Sequence, residues 1–277
     1  MRWYAPLFNY WSNCENFYIT NYLSIEKDAY SLSKELTDFL LSGSDVSEIN
    51  SCGYWVIVKE SKSKYLSVPN VLNTLLISFW VLTPNQLHYR FRFSERKGDM
   101  RRYLDRFIFN SEDENQNTVD ELQLTKVKQF YRSLARINKN KDRLQTALLY
   151  TYRGCVAYDW RVSFVLFTAA LEAILTYKRG YGMTRRHAEA YSILTETTSS
   201  KRDLAAKRFE RLYNIRSDIM HGSKIKSRAT TNLKNLSKLS HLLRRLWNVI
   251  LCDNQIISSL ELNDQGRELF FRQLGSS

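Results

Sequence analysis

The chain has 277 residues, of which 44% are hydrophobic and 13% aromatic, enough for one large or two modest cores at roughly 100 to 200 residues per domain. Nine glycines and three prolines are few breakers for this length, which argues against a many-turned β-sandwich and for long helices. The net charge of +13 is uneven: residues 1–118 hold 13 basic and 14 acidic side chains, whereas residues 119–277 hold 28 and 14, so the excess sits in the second part and marks it as a candidate polyanion-binding surface.

From the N-terminus, MRWYAPLFNYW lacks a basic flank followed by an uninterrupted apolar stretch, and no signal peptide is expected. Short β-branched and aromatic runs predict strands at Phe17–Ser24 and Tyr54–Lys59. Tyr89, Phe91 and Phe93 alternate with Arg90 and Arg92, the period of a half-buried strand whose arginines face solvent. Between these runs, Asp28–Leu41 and Pro69–Leu82 read as helices, with Pro69 suited to a first turn. Val71–Leu82 is interrupted by Asn73, Thr74 and Ser78; it is a core helix and falls short of the ~18 to 20 apolar residues of a membrane span. The expectation for residues 1–110 is a small α+β domain with a sensing, partner-binding or regulatory role.

The acidic, polar stretch Ser111–Asn117 reads as a linker. Beyond it the helical period takes over. Helices are predicted at Val119–Asn138, Asp142–Arg153, Arg161–Lys178, Arg185–Thr195, Asp203–His221, Thr231–Cys252 and Asp264–Leu274. In the sixth, Leu233, Leu236, Leu239, Leu243, Leu246, Trp247 and Ile250 recur at threes and fours, which makes Trp247 a core residue. The fifth carries Leu204, Phe209, Leu212, Ile215 and Ile219 and ends at Gly222, a residue suited to a left-handed C′ position. The fold class is therefore mainly α, with a helical domain over residues 119–277 behind the α+β domain.

Several chemistries lack their motifs. There is no glycine-rich phosphate loop followed by Lys, no HExxH, no zinc-spaced cysteine pair and no GxSxG elbow. Cys14, Cys52, Cys155 and Cys252 are scattered without ligand or redox spacing; reduced thiols in a cytoplasmic protein are the expectation. With only four histidines, His88, His187, His221 and His241, and dispersed carboxylates, neither a metal nor another cofactor is expected.

What remains is the end of the fifth helix, Arg216-Ser-Asp-Ile-Met-His221-Gly222. Five helical steps turn the two side chains by about 140° and separate them by about 7.5 Å. They share a cleft only if the last turn loosens or a second helix, including a second copy of this one, packs across them. RNA carries its own nucleophile, the 2′-OH, beside the scissile phosphate. Its cleavage needs a proton acceptor, a proton donor and a cation on the phosphorane oxygens. Histidine titrates near neutrality and can do the first two; arginine stays charged and presents a planar fork to phosphate. Ser217 and Asp218 stand between the pair, in reach to orient either. With 24 arginines and four histidines in the chain, an Arg-to-His spacing of this kind arises roughly once on composition alone.

The surrounding sequence adds what spacing lacks. Leu212-Tyr-Asn-Ile-Arg216-Ser-Asp-Ile-Met-His221-Gly222 closely resembles the signature helix of the HEPN superfamily, in which Arg, four to six residues and His close the helix. Phe164-Val-Leu-Phe-Thr-Ala-Ala-Leu-Glu172-Ala-Ile-Leu resembles the apolar, Glu-bearing helix of its ApeA-like group. The resemblance covers roughly residues 119–252. It implies a helical bundle that forms a homodimer through the signature helices, with a composite endoribonuclease site, no metal and Arg216 and His221 as the catalytic pair. It also implies deployment in antiviral defence or as a toxin, with an antitoxin or defence-system protein as partner; no membrane is expected, since no apolar run is long enough to span one. Some members are inactive and serve as binding or scaffolding subunits, which is the alternative.

Four further assignments complete the expected site. Glu172, among apolar neighbours, is expected to be buried and to need a partner: an ion pair with Arg185 or Arg186 is favoured, with orientation of Arg216 or tuning of His221 as the other role. Tyr213, three residues before Arg216, shares its face and packs in the dimer seam or stacks on a base. Arg185, Arg186, Lys224, Lys226 and Arg228 are the expected contacts to the RNA backbone. His187 is expected at the surface.

Overall fold

The computed structural model describes residues 1–30, 41–59, 67–82, 87, 89, 91–94, 100–102, 118–140, 142–178, 180–221 and 229–276. They divide into two units, Met1–Arg132 and Ser133–Ser277.

The first unit carries eight strands among the described residues: β1 (Arg2–Pro6), β2 (Trp11–Ser12), β3 (Asn16–Thr20), β4 (Leu23–Lys27), β5 (Tyr54–Lys59), β6 (Phe91–Ser94), β7 (Met100–Arg102) and β8 (Thr118–Val119). Six form one antiparallel sheet in the order β3-β4-β5-β1-β6-β7, while β2 and β8 pair in parallel. Register explains the sheet's core. Leu23, Val58 and Trp3 lie abreast on three neighbouring strands, as do Ile25, Val56 and Ala5, and all six are buried. The opposite face is also apolar: Trp55, Phe91 and Phe93 cluster with Phe8 and Ile49. A sheet buried on both sides reads as a continuous apolar run rather than an alternation, which is why β5 is YWVIVK.

Two helices belong to this sheet region, α1 (Gly43–Asn50) and α2 (Val68–Leu82). α2 packs beside β5 and buries eleven residues around its circumference, Leu75, Phe79 and Trp80 among them. A helix apolar all round belongs in a core, as its interrupted sequence suggested. α1 was not anticipated; its one clear signal is a capping box in which Ser42 and Asp45 satisfy each other's backbone N–H groups. The single strand expected over Phe17–Ser24 is instead a hairpin, β3 and β4 joined through Asn21 and Tyr22, because Asn at a loop position favours a two-residue turn. The helix expected from Asp28 does not begin there: Asp28 sits at φ 49°, in the left-handed region. The rest of that segment, residues 31–40, lies outside the described residues, as do Arg90 and the expected linker Ser111–Asn117.

α3 (Glu121–Asn140) runs from the first unit into the second. The second unit continues with α4 (Asp142–Val156), α5 (Trp160–Leu175), α6 (Met183–Thr195), α7 (Ser199–Met220), α8 (Ala229–Cys252), α9 (Asn254–Leu260) and α10 (Asp264–Gly275). Phe164, Phe167, Leu171 and Ile174 of α5 are fully buried, as are Leu243, Leu246, Trp247 and Ile250 of α8. The Trp247 Nε1–H donates to Thr151 Oγ1 at 3.0 Å, and that hydroxyl donates to the Ala147 carbonyl at 2.8 Å. Two residues of the expected apolar stripes are exposed instead, Leu204 near the start of α7 and Leu233 near the start of α8, while their neighbours Ala205 and Asn232 take the buried positions of those turns. α5 ends three residues earlier than expected. Thr176 is extended and returns its hydroxyl to the Glu172 carbonyl at 2.7 Å, while guanidinium groups of Arg143 and Arg267 donate to the carbonyls of Thr176 and Ile174. Cations at a helix C-terminus satisfy its orphan carbonyls and complement its dipole.

α4 and α5 pack closely at Gly154. A Cβ there would meet the Phe167 ring at 2.6 Å and 2.7 Å, and Phe167 is fully buried with no room to withdraw. Gly154→Ala is therefore expected to cost about 1 to 3 kcal/mol through overpacking, although alanine is the better helix former. Urea unfolding monitored by circular dichroism checks it; a variant more stable than wild type would contradict the packing.

Candidate functional site

α7 is a regular helix of 22 residues whose buried face is narrow, comprising Ala205, Phe209 and Leu212. Phe209, Tyr213 and Arg216 follow one another at four and three residues, so they stack along one side: the rings of Phe209 and Tyr213 are 6.1 Å apart and 18° from parallel, and the Arg216 guanidinium carbon lies 5.8 Å from the Tyr213 ring centre. This side meets the C-terminal turn of α5, where Glu172 stands. The Tyr213 hydroxyl donates to Glu172 Oε1, and Arg216 Nη2 lies 3.6 Å from the same oxygen. One carboxylate thus holds a phenol and a guanidinium. Burial, and then the Glu172 carboxylate, push the Tyr213 hydroxyl well above its ordinary pKa of 10, so it remains a donor.

The contacts of Glu172 correct the favoured expectation. Its ion-pair partner is Arg216 rather than Arg185 or Arg186, and it keeps 26% side-chain exposure instead of being fully buried. The next helix turns its arginines elsewhere. Arg185 pairs with Glu189 one turn along α6 at 2.9 Å, and Arg186 donates to the Tyr181 carbonyl in a loop that needs positive φ at Gly180 and Gly182. Tyr213, likewise, is bound within the chain, to Glu172.

His187, expected at the surface, is buried at 1% exposure. It lies beneath this cluster, its ring 5.9 Å from that of Tyr213. Its Nε2 meets Thr176 Oγ1 at 2.9 Å. Since the threonine proton is committed to the Glu172 carbonyl, Nε2 carries the imidazole proton and donates, leaving Nδ1 as a bare lone pair. Burial lowers the His187 pKa below 6.5; Glu172 opposes the shift and Arg186 adds to it. The folded chain then binds this proton less tightly than the unfolded one, so stability is full above pH 6.5 and falls as pH drops from there toward the depressed folded value. Between pH 7.5 and 5, the urea midpoint of wild type is expected to fall further than that of His187→Gln; equal falls would show that this histidine does not titrate on unfolding.

His221 closes α7. Its N–H donates to the Ser217 carbonyl at 3.0 Å, so the last turn stays helical up to Met220 and does not loosen to bring the imidazole back toward Arg216. The side chain is exposed, and among the described residues nothing hydrogen-bonds its ring. Ser217 is half-buried and Asp218 exposed. Within one chain, then, the fold gathers Glu172, Tyr213 and Arg216, with His187 beneath, and leaves Ser217, Asp218 and His221 outside. Gly222 and the expected RNA contacts Lys224, Lys226 and Arg228 lie outside the described residues.

Among the described residues no group of three or more His, Cys, Asp or Glu side chains is placed to hold a metal ion, and no helix is long and apolar enough to cross a membrane. The four cysteines are free: Cys155 is buried, Cys252 is exposed, and burial pushes the Cys52 thiol up to about 12. No family model matches the chain, and neither the curated proteins nor the solved structures compared with it give a match.

Proposed function

We propose that this protein is a metal-independent endoribonuclease of HEPN type whose site is completed by a second copy of the chain, with a role in antiviral defence or as a toxin. The observation that carries the reading is the end of α7: an exposed imidazole on the residue that caps the helix, about one and a half helical turns beyond a guanidinium that a carboxylate and a phenol hold in place. Two such helix ends brought face to face supply two imidazoles and two guanidinium groups to one phosphodiester. One His221 accepts the 2′-OH proton as that oxygen attacks phosphorus. The other, protonated, gives its proton to the departing 5′-oxygen. Arg216 carries the charge that grows on the non-bridging oxygens. The products are a 2′,3′-cyclic phosphate and a 5′-hydroxyl, with no redox step and no metal.

Glu172 then acts as a positioning residue. It fixes one side of the guanidinium and leaves 31% of the Arg216 side chain open to solvent. The same ion pair also favours a second reading, a non-catalytic nucleic-acid-binding or scaffolding subunit, since Arg216 is already engaged without substrate. RNA cleavage in the presence of chelator by wild type, Arg216→Ala and His221→Ala separates the two. Products from wild type alone support the nuclease. Equal product from all three, or salt-sensitive binding with no product from any, removes it.

A further inference from the structure

We infer that the outer face of α8, together with Arg208 of α7, is a track for the phosphate backbone of single-stranded RNA. α8 has 24 residues and no acidic one. Its exposed basic positions, Lys234, Lys238, His241 and Arg245, are spaced by four, three and four. At about 100° per residue these fall within an arc of about 60°, and they climb about 16 Å along the axis. The buried residues Leu239, Leu243, Leu246, Trp247 and Ile250 occupy the other side. These side chains therefore form a ladder on the side away from the core.

Three features separate this ladder from an ordinary solvated face. Among the described residues no carboxylate comes within ion-pair distance of Lys234, Lys238 or Arg208, whereas solvated helices balance such charges at i,i+4. The top rung is fixed: Arg245 is held by Glu196 at 2.7 Å and by the Thr195 carbonyl at 2.9 Å. The charges also crowd one another. Burial, then Arg244, Arg245 and Arg208, lower the His241 pKa, which favours the neutral imidazole on that rung and leaves Lys234, Lys238 and Arg208 as the charges with no carboxylate beside them among the described residues. Lys234 lies at the start of α8, beyond the segment 222–228 that follows His221, so the ladder runs to the end of the bundle where α7 terminates.

The chemistry that suits such a surface is a chain of regularly repeated anions. Positions flanking the rungs include the polar Ser237 and Asn248, and the exposed apolar side chains beside the track are two isolated leucines, Leu204 and Leu233, short of the continuous apolar face that a lipid surface accepts. Choosing RNA over other polyanions rests on the ribonuclease reading above. The track leads the strand to the helix ends where cleavage is proposed, and it lies apart from Arg185 and Arg186, whose partners are within α6 and its preceding loop.

The test is fluorescence anisotropy with a labelled, fully 2′-O-methylated 20-nucleotide RNA, which binds but has no nucleophile. Arg208→Gln/Lys234→Gln/Lys238→Gln is compared with Lys27→Gln/Lys126→Gln/Arg153→Gln, which removes three exposed charges elsewhere. Circular dichroism melts confirm that both fold as wild type does. The ladder variant is expected to bind at least tenfold more weakly at 0.15 M salt. Its slope of log affinity against log salt is expected to fall by about two, at roughly 0.7 for each phosphate that is no longer neutralised, while the control variant changes little. Equal weakening of both, or wild-type affinity for the ladder variant, overturns the track. So does an unchanged RNA affinity combined with lost binding to phosphatidylserine vesicles. Cleavage of ordinary RNA is scored separately: a ladder that governs binding to a protein that forms no product leaves the track standing and removes the nuclease.

Discussion

His221→Ala is expected to lower RNA cleavage in chelator by roughly two to four orders of magnitude, the usual contribution of a positioned acid or base. The imidazole is exposed at the helix end and, among the described residues, takes part in nothing that holds α7 together; the hydrogen bond from this residue to Ser217 is made by its backbone N–H, which survives the substitution. Melting temperature should therefore barely move, and a loss of rate cannot be charged to unfolding. Arg216→Ala is expected to cost roughly a hundred- to a thousandfold, the scale of losing one stabiliser of transition-state charge. Here the fold should change slightly, because Glu172 keeps only the Tyr213 hydroxyl. Mixing the two inactive variants adds a discriminating measurement. If each site draws on both copies, His221→Ala and Arg216→Ala subunits complement in part when combined, and a site confined to one chain would give no recovery.

Trp247→Ala should be the most destabilising single substitution in the second unit, at about 3 to 5 kcal/mol for an aromatic core residue truncated to a methyl. Trp247 is fully buried and its indole N–H is answered by Thr151, so the change empties a large volume and removes a buried hydrogen bond together. Trp247→Phe separates these terms. The Thr151 hydroxyl keeps its own acceptor, Ala147, and the ring volume is largely retained, so a cost of about 1 to 2 kcal/mol is expected. Denaturant midpoints of the three proteins check both values; equal costs for alanine and phenylalanine would mean that the hydrogen bond, rather than the packing, dominates.

Much of the second unit was legible because its signals are local. An apolar stripe at threes and fours defines α8 from within its own residues, and the predicted helices match observed ones to within a few residues at each end. Short elements escaped. α9 spans seven residues and buries only Ile257 and Leu260, too few to show a period. The β3–β4 hairpin escaped because Phe17–Ser24 looks equally apolar on both sides of its turn. At the site, the sequence could place Tyr213 beside Arg216, since helical spacing alone does so. It could not tell which cation Glu172 meets: Arg185 pairs with Glu189 along its own helix and Arg186 turns to the Tyr181 carbonyl, contacts that lie in the conformation of α6 and its preceding loop. His187 misled for a similar reason. Its sequence neighbours are two arginines, yet the helix turns the imidazole inward while Arg185 stays at the surface.

The division of the chain falls between Arg132 and Ser133, in the middle of α3 rather than in a loop. Leu124, Val127 and Phe130 on one side of that point and Leu134 and Ile137 on the other are all buried, on a single unbroken helical rod. Anyone wishing to express the helical half by itself thus has no harmless place to cut at the boundary. A gene fragment starting at Ser133 would expose raw amide groups in mid-helix, and one starting at Asp120 would carry an oily stripe stripped of its covering. Solubilising substitutions at Leu124, Val127 and Phe130 would be the practical remedy for the longer fragment.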